Sequence, residues 1–169
     1  MIRKILAASA AAMFAAAPAI AGNIAPPLAV SGMPAPVSDW TGFYAGLNTG
    51  IFAPGGGVAW EGGAHAGYLY DTGDFVFGAE IAVNYVPVLP ITSVAADVIL
   101  GYDAGSVMPH ITLGNTYFFG PNDFGVAAGA GLSVKASENI ILTGRYRFNY
   151  VVVPAATAHQ GILAVSYRF

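Results

Sequence analysis

The sequence contains no cysteine, and only 9% of its 169 residues are charged. The absence of cysteine excludes disulfide frameworks and every cysteine-ligated metal or redox site. Six Lys and Arg against nine Asp and Glu leave no basic patch, which argues against a nucleic-acid partner. Soluble domains normally carry about 25% charged residues. The scarcity of charge therefore indicates an outer surface that faces lipid rather than water.

Hydrophobic residues are abundant, at 56% of the chain, and 22 glycines accompany them. This composition excludes intrinsic disorder, which requires low hydrophobicity and high net charge. Beyond residue 21, no stretch is long and uniformly apolar enough for a membrane helix, which needs about 20 residues. A spanning structure in this chain would have to be built from strands.

The N-terminus has the pattern of an export signal. Arg3 and Lys4 precede an Ala-rich apolar stretch, and Ala19-Ile-Ala21 fits the small-x-small cleavage pattern. We therefore predict a signal peptide at residues 1–21, the alternative being a membrane-anchoring helix. A Pro-rich periplasmic linker is predicted at residues 22–39, with a passive tether favoured over a partner-binding or plugging segment. The remaining residues, 40–169, form the predicted barrel domain.

From residue 40 onward, apolar and polar residues alternate with a period of two. In one segment, Phe75, Ile81 and Val83 share a face while Glu80 and Asn84 lie on the other. Such alternation predicts strands with one greasy face and one polar face. Eight segments show it: Trp40–Phe52, Val58–Tyr70, Phe75–Tyr85, Ile91–Asp103, Val107–Phe118, Phe124–Val134, Ile140–Tyr150 and His159–Phe169.

The predicted fold class is all-β, an eight-stranded antiparallel up-and-down transmembrane β-barrel, because single-chain bacterial barrels have an even number of strands. Outward-facing aromatic residues sort into two girdles at the two membrane interfaces. A soluble lipocalin-type barrel would have apolar residues inside and charged residues outside, and it would not account for the two aromatic girdles. The girdle residues are Trp60, Tyr85, Tyr117, Phe124, Phe148 and Tyr150 near one rim, and Tyr68, Tyr70, Phe75, Phe77 and Tyr102 near the other.

The inward faces carry three acids and three bases, and we predict that they form a lumen ionic network. An eight-stranded barrel is just filled by its side chains, so opposite charges should meet. Near mid-strand, Glu80, Asp97 and Arg145 are expected to form an ionic plug, which His65 and His110 could join. The full set is Glu61, Glu80, Asp97, Arg145, Arg147 and Arg168.

Four motifs together resemble the small opacity-type outer-membrane β-barrel proteins of Gram-negative bacteria, often labelled porin-family proteins. They are Asp39-Trp-Thr-Gly-Phe-Tyr-Ala-Gly46, Phe124-Gly-Val-Ala-Ala-Gly-Ala-Gly131, Arg145-Tyr-Arg147 and Val165-Ser-Tyr-Arg-Phe169. The resemblance covers residues 39–169 and implies a cell-outer-membrane location in contact with lipid and lipopolysaccharide. It also implies insertion by the outer-membrane assembly machinery, whose C-terminal signal is matched by Leu163, Val165, Tyr167 and Phe169.

The family resemblance does not fix one activity, because a shared fold never settles function. We expect a structural role in envelope integrity, with a possible envelope protein partner, and a small passive diffusion channel as the alternative. Very short predicted loops weaken adhesin-like interpretations. Enzymatic function is not expected, because no outward Ser and acid accompany His159. No cofactor or metal is predicted, since His65, His110 and His159 do not converge by sequence.

Overall fold

The computed structural model describes residues 39–152 and 155–169, and these residues form eight β-strands. The predicted signal peptide and the predicted linker as far as residue 38 lie outside the described residues. The strands are β1 (Gly42–Pro54), β2 (Ala59–Asp71), β3 (Phe75–Val86), β4 (Ile91–Tyr102), β5 (Val107–Phe119), β6 (Asp123–Lys135), β7 (Ile140–Val151) and β8 (Ala156–Arg168).

Within the described ranges, no helix has the length and apolar character that crossing a membrane requires.

Each strand pairs antiparallel with the next, and β1 also pairs with β8, so the sheet closes into a barrel without free edges. The predicted fold class is confirmed. The observed strand ends lie within two residues of the predicted ones, except at the start of β8. β8 begins at Ala156, three residues before His159, and β1 begins at Gly42 because Trp40 leaves the sheet to lie against the barrel end.

Side chains alternate between the outer wall and the interior along every strand. In β3, Phe75 and Ile81 are exposed, whereas Val76, Glu80 and Asn84 are buried. This alternation follows from the period of two in an extended chain. Because the exposed positions are apolar and the buried positions include the charges, the arrangement is the inverse of a soluble barrel.

The turns at the end where β1 begins, here called the N-terminal end, are stabilised by aspartate side chains. Oδ1 of Asp71 accepts a hydrogen bond from Gly73 N at 2.8 Å, and Oδ1 of Asp103 accepts one from Gly105 N at 2.7 Å. The backbone at these two glycines has positive φ, 102° at Gly73 and 80° at Gly105, a conformation that residues with a Cβ rarely adopt. The polar turns therefore fix the register of two hairpins.

The barrel interior is layered, which the sequence alternation alone did not reveal. Apolar side chains close both ends, and the polar side chains occupy the layer between them. The N-terminal cluster comprises Trp40, Tyr44, Leu69, Val76, Ile99, Met108 and Ile141. The cluster at the opposite end, here called the loop end, comprises Phe52, Ala59, Val86, Phe118, Val151 and Ala158.

We expect a charged residue on the outer wall to destabilise the barrel most near the middle of the membrane and least near its surfaces. Leu113 is exposed in the middle of β5, and replacing it with Arg should lower the free energy of unfolding by about 2–4 kcal/mol in lipid vesicles. The matched change Leu89→Arg, in the connection after β3, should cost only about 0–1 kcal/mol. Urea titrations monitored by Trp fluorescence give both values, and equal costs would contradict a lipid-facing wall.

Candidate functional site in the barrel lumen

The charged layer of the lumen begins with two acids placed side by side. Glu80 on β3 and Asp97 on β4 are direct cross-strand partners, and both side chains are buried. Like charges directly opposite each other are destabilising unless bases compensate them. Arg145 and Arg147 supply the compensation from β7, which lies across the lumen, and their two-residue spacing directs both side chains inward.

The first ion pair joins Arg145 to Glu80. Arg145 Nη1 lies 2.6 Å from Glu80 Oε1, and Nη2 lies 3.5 Å from Oε2. The hydroxyl of Tyr44 on β1 donates a 2.6 Å hydrogen bond to the same Oε2. The pair therefore ties β3 to β7 across the barrel, and Tyr44 adds β1 to the connection.

The second ion pair joins Arg147 to Asp97 with two contacts. Arg147 Nη1 lies 2.9 Å from Asp97 Oδ2, and Nη2 lies 3.0 Å from Oδ1. Nη2 also donates to Thr116 Oγ1 at 2.9 Å and to the backbone oxygen of Asn115 at 3.2 Å. Arg147 is 3% exposed, so this forked geometry satisfies a charge that has almost no access to solvent.

A chain of hydrogen bonds extends from Arg147 to Glu61 at the loop end. Thr116 Oγ1 donates to Asn149 Oδ1 at 3.0 Å, and Asn149 Nδ2 donates to Gln160 Oε1 at 2.8 Å. Gln160 Nε2 then lies 2.8 Å and 3.0 Å from the two carboxylate oxygens of Glu61. Glu61 is thus held by an amide rather than by a base.

The structure differs in two respects from the predicted ionic network. The mid-strand plug of Glu80, Asp97 and Arg145 is instead divided into two pairs, because Arg147 rather than Arg145 contacts Asp97. Arg168 does not join the network. It lies at the N-terminal end, where it donates hydrogen bonds to the backbone oxygens of Asp39, Thr41 and Glu138.

The three histidines lie apart, as two interior residues and one exterior residue. His65 Nε2 lies 2.7 Å from Ser166 Oγ, and His110 Nδ1 lies 3.3 Å from the Met108 carbonyl oxygen. His159 is exposed on the outer wall, where its Nδ1 is hydrogen-bonded to the Tyr146 hydroxyl at 2.6 Å. Among residues 39–152 and 155–169, no group of three potential metal ligands converges.

Residues Asp39–Thr41, here called the N-terminal strap, lie across the N-terminal end of the barrel. The Trp40 ring is 0% exposed, and its Nε1 donates to Asp103 Oδ1 at 3.1 Å and to the Gly105 oxygen at 3.2 Å. Lys135 Nζ lies 4.3 Å from the ring centroid. Hydrogen bonds from Thr41 hold the pKa of Asp39 below its usual value. The strap seals the N-terminal apolar cluster.

Sequence reasoning missed two lumen residues, Tyr44 and Trp40. Because side chains alternate along β1, Tyr44 lies on the face opposite to that of the outward Phe43. The alternation was hard to recognise there, since glycines and an asparagine occupy the next positions on the face of Tyr44. Room for Tyr44 depends on Gly67, where an added Cβ would lie only 2.6 Å from the Tyr44 hydroxyl oxygen. The local sequence around Trp40 does not indicate that its ring is buried, since the ring is held outside the sheet by hydrogen bonds to residues distant in sequence.

The predicted girdle residues lie toward the two ends of the strands. Nine of the eleven are exposed, and the other two, Tyr117 and Phe148, are half-buried against neighbouring rings. The Trp60 Nε1 group donates a 2.7 Å hydrogen bond to Thr49 Oγ1, so it has a partner on the outer wall itself. Exposure is also high at the predicted assembly signal: Leu163, Val165, Tyr167 and Phe169.

Comparison with known proteins supports the same class. No family model matches the chain. A 25 kDa outer-membrane immunogenic protein of Brucella canis is 29% identical, with 74% of this chain and 71% of the relative covered. The crystal structure of Ail, the attachment invasion locus protein of Yersinia pestis, superposes with a TM-score of 0.57 at 14% identity, covering 76% of this chain and 97% of Ail.

The N-terminal β-barrel domain of Pseudomonas aeruginosa OprF gives a TM-score of 0.55 at 15% identity, covering 75% of this chain and 97% of that domain. At such identities the two structures establish the fold, and the Brucella relative adds the compartment. This chain is a small β-barrel protein of the Gram-negative outer membrane. The class indicated by the sequence motifs is confirmed.

We expect removal of one partner of the Arg147–Asp97 pair to reduce stability strongly, and replacement of both partners by apolar residues to reduce it little. Arg147→Met alone leaves a buried, uncompensated carboxylate and should lower the free energy of unfolding by about 3–5 kcal/mol. Combining it with Asp97→Leu should recover most of that loss, because an apolar pair needs no charge compensation. Urea unfolding in lipid vesicles measures both. A double variant less stable than Arg147→Met would contradict this account.

Proposed function

We propose that this protein is a structural component of the outer membrane that contributes to envelope integrity and does not conduct. The observation that carries the proposal is the closed lumen. Two salt bridges cross its polar layer, and apolar clusters occupy both of its ends. Eight strands leave an interior just wide enough for side chains to fill, so the network occupies the space that a pore would need.

A small passive channel for ions or small solutes is the alternative. It would need a continuous polar path from one end to the other. The polar layer favours such a path in the middle of the barrel, where Glu80, Asp97, Arg145 and Arg147 lie. At the N-terminal end, however, the path would have to pass the buried Trp40 ring and Val76, both 0% exposed.

The proposal includes no catalytic role. Hydrolysis or transfer of lipid acyl chains would require a nucleophile activated by a base at the outer wall, oriented by a third group. The outward histidine, His159, is hydrogen-bonded to Tyr146, and its ring lies 5.3 Å from the Phe148 ring with a tilt of 60°. Among the described residues, no carboxylate hydrogen-bonds to it, so the acid of such an arrangement is missing there.

The partners we propose are the lipids and lipopolysaccharide of the outer membrane and the machinery that assembles it. Support for lipid contact comes from the exposed apolar wall, and support for assembly comes from the C-terminal residues. Leu163, Val165 and Tyr167 point outward on β8 and Phe169 directly follows it, with 49–76% of each exposed. An envelope protein partner would be engaged through the low outer rim of the barrel or through the predicted linker, which lies almost wholly outside the described residues.

Planar-bilayer recordings test the closed lumen. The unaltered protein should give no stepwise ion current, because buried apolar clusters lie at both ends of the lumen. Arg145→Met should lower thermal stability and create leakage, since Glu80 loses its base. Arg168→Met is the matched control, because Arg168 binds backbone oxygens outside the lumen and its loss should leave the bilayer silent. Steady currents from the unaltered protein, with selectivity altered by Arg145→Met, would establish the channel instead.

The C-terminal signal is testable separately. Phe169→Ser should sharply reduce the amount of folded barrel in the outer membrane, because the exposed terminal ring is lost while the interior is untouched. Heat-modifiable migration on gels, measured on outer-membrane fractions, reports the folded fraction. Phe75→Ser removes an exposed ring from the same end of the barrel and serves as control. Equal losses from the two variants would show that bulk hydrophobicity, rather than a terminal signal, is being read.

A further inference from the structure

The connections between strands at the loop end contain no charged residue. They are residues 55–58, 87–90, 120–122 and 152–155, with the sequences Gly-Gly-Gly-Val, Pro-Val-Leu-Pro, Gly-Pro-Asn and Val-Val-Pro-Ala. The connections at the N-terminal end contain Asp74, Asp103 and Glu138, and Lys135 and Arg168 lie at the adjoining strand ends. Charged residues normally cover protein surfaces that face water. The two ends of the barrel are therefore suited to different surroundings.

Large apolar side chains project from the loop end. Val88 is 74% exposed and Val58 is 60% exposed, while Val152 and Phe119, the last residue of β5, are each about half exposed. Exposed apolar patches mark surfaces that bind another protein or a membrane. The composition of the loop end thus indicates that something other than water covers it.

This apolar patch is continuous with the outer wall of the barrel. The Phe119 ring lies 4.8 Å from the ring of Tyr117, one of the girdle residues. Val58 precedes the exposed girdle residue Trp60 by two positions, and the girdle residue Tyr85 lies near the end of β3. Aromatic girdles lie at the boundary between hydrocarbon and headgroups. The connections therefore begin in the headgroup layer, where the lipid that covers the wall can cover them as well.

The connection at residues 87–90 has few N–H groups that need water. Pro87 and Pro90 have no N–H, and the N–H of Leu89 donates to the Val86 oxygen at 3.2 Å. Unpaired backbone groups are costly where water is scarce. The connections between strands at the N-terminal end contain no proline. The proline-rich connection is thus suited to a poorly hydrated layer.

The chemistry of the loop end favours lipid over a protein as its cover. Association with a protein partner is steered and oriented by complementary charges, and these connections have none. Their one polar side chain, Asn122, accepts a hydrogen bond of 3.3 Å at Oδ1 from the Tyr117 hydroxyl. Contact with a membrane interface requires chiefly exposed apolar area, which the loop end provides.

We infer that the loop end is a lipid-contact surface, covered by the headgroup layer of the bilayer in which the barrel itself is embedded. Its connections do not project into water. The inference rests on the lipid contact of the function proposed above and extends it from the outer wall to one end of the barrel. It leaves the predicted linker as the route to an envelope protein partner.

Single cysteines test the inference, because the chain has no cysteine of its own. Val88→Cys labels the loop end, Leu113→Cys labels the middle of the outer wall, and Ser106→Cys labels an exposed turn at the N-terminal end. Each folded variant carries the same fluorophore in phospholipid nanodiscs, whose two faces are both open to solvent. Lipids brominated close to the headgroup report contact with the bilayer, and iodide reports contact with water.

Brominated lipid should quench the label at Val88 strongly, and its quenching constant with iodide should be several-fold smaller than that of the label at Ser106. Equal iodide quenching at these two positions would overturn the inference, because the loop end would then face water. Weak quenching of the Val88 label by both agents would overturn it as well, because protein would then cover that end.

The Leu113 label separates this inference from the proposed function. Brominated lipid should quench it whether or not the loop end is covered, so a failure at Leu113 contradicts the lipid-facing wall, whereas a failure at Val88 alone contradicts only the inference. Heat-modifiable migration first shows whether each variant folds. If Val88→Cys does not fold, Val58→Cys takes its place, because Val58 is exposed at the same end of the barrel.

Discussion

The governing constraint in this molecule is that charges inside the barrel cannot reach water and therefore must find partners within it. Lipid covers the outer wall, and apolar clusters cover both ends of the lumen. Glu80 and Asp97, adjacent on one wall, would repel each other strongly in such a setting. Arg145 and Arg147 on β7 each form an ion pair with one of these acids. Hydrogen bonds that run from Thr116 to Glu61 supply partners for the remaining buried polar groups in the same way.

Glycines on the barrel wall make room for the large polar side chains of the interior. Large side chains can extend into a narrow barrel only where the neighbouring wall position has no side chain of its own. Gly67 is such a position, because an added Cβ would collide with the Tyr44 ring. Gly131 does the same for His110, whose Nε2 lies 2.8 Å from where a Cβ would stand. The high glycine content of the sequence is therefore explained by packing against large polar side chains as well as by turns.

The fold could be predicted from the sequence because period-two alternation and depth-sorted aromatics are local signals that lipid enforces at every strand. The same parity placed five charged residues in the interior, namely Glu61, Glu80, Asp97, Arg145 and Arg147, but wrongly added Arg168. Their pairing could not be predicted, because register across the closed sheet decides that Asp97 meets Arg147 rather than Arg145. Nor could parity reveal that both ends of the lumen are apolar, or that Trp40 leaves the sheet and Arg168 turns to backbone oxygens.

The order of the charges along the chain has a consequence for biogenesis. Both acids belong to the β3–β4 hairpin, whereas both bases lie on β7, about fifty residues further along the chain. A partial sheet ending before β7 would leave two adjacent carboxylates without their bases, which is costly within a bilayer. A sheet in the bilayer that contains β3 and β4 is therefore balanced in charge only when β7 is part of it, which makes the seventh strand a requirement for a stable inserted barrel.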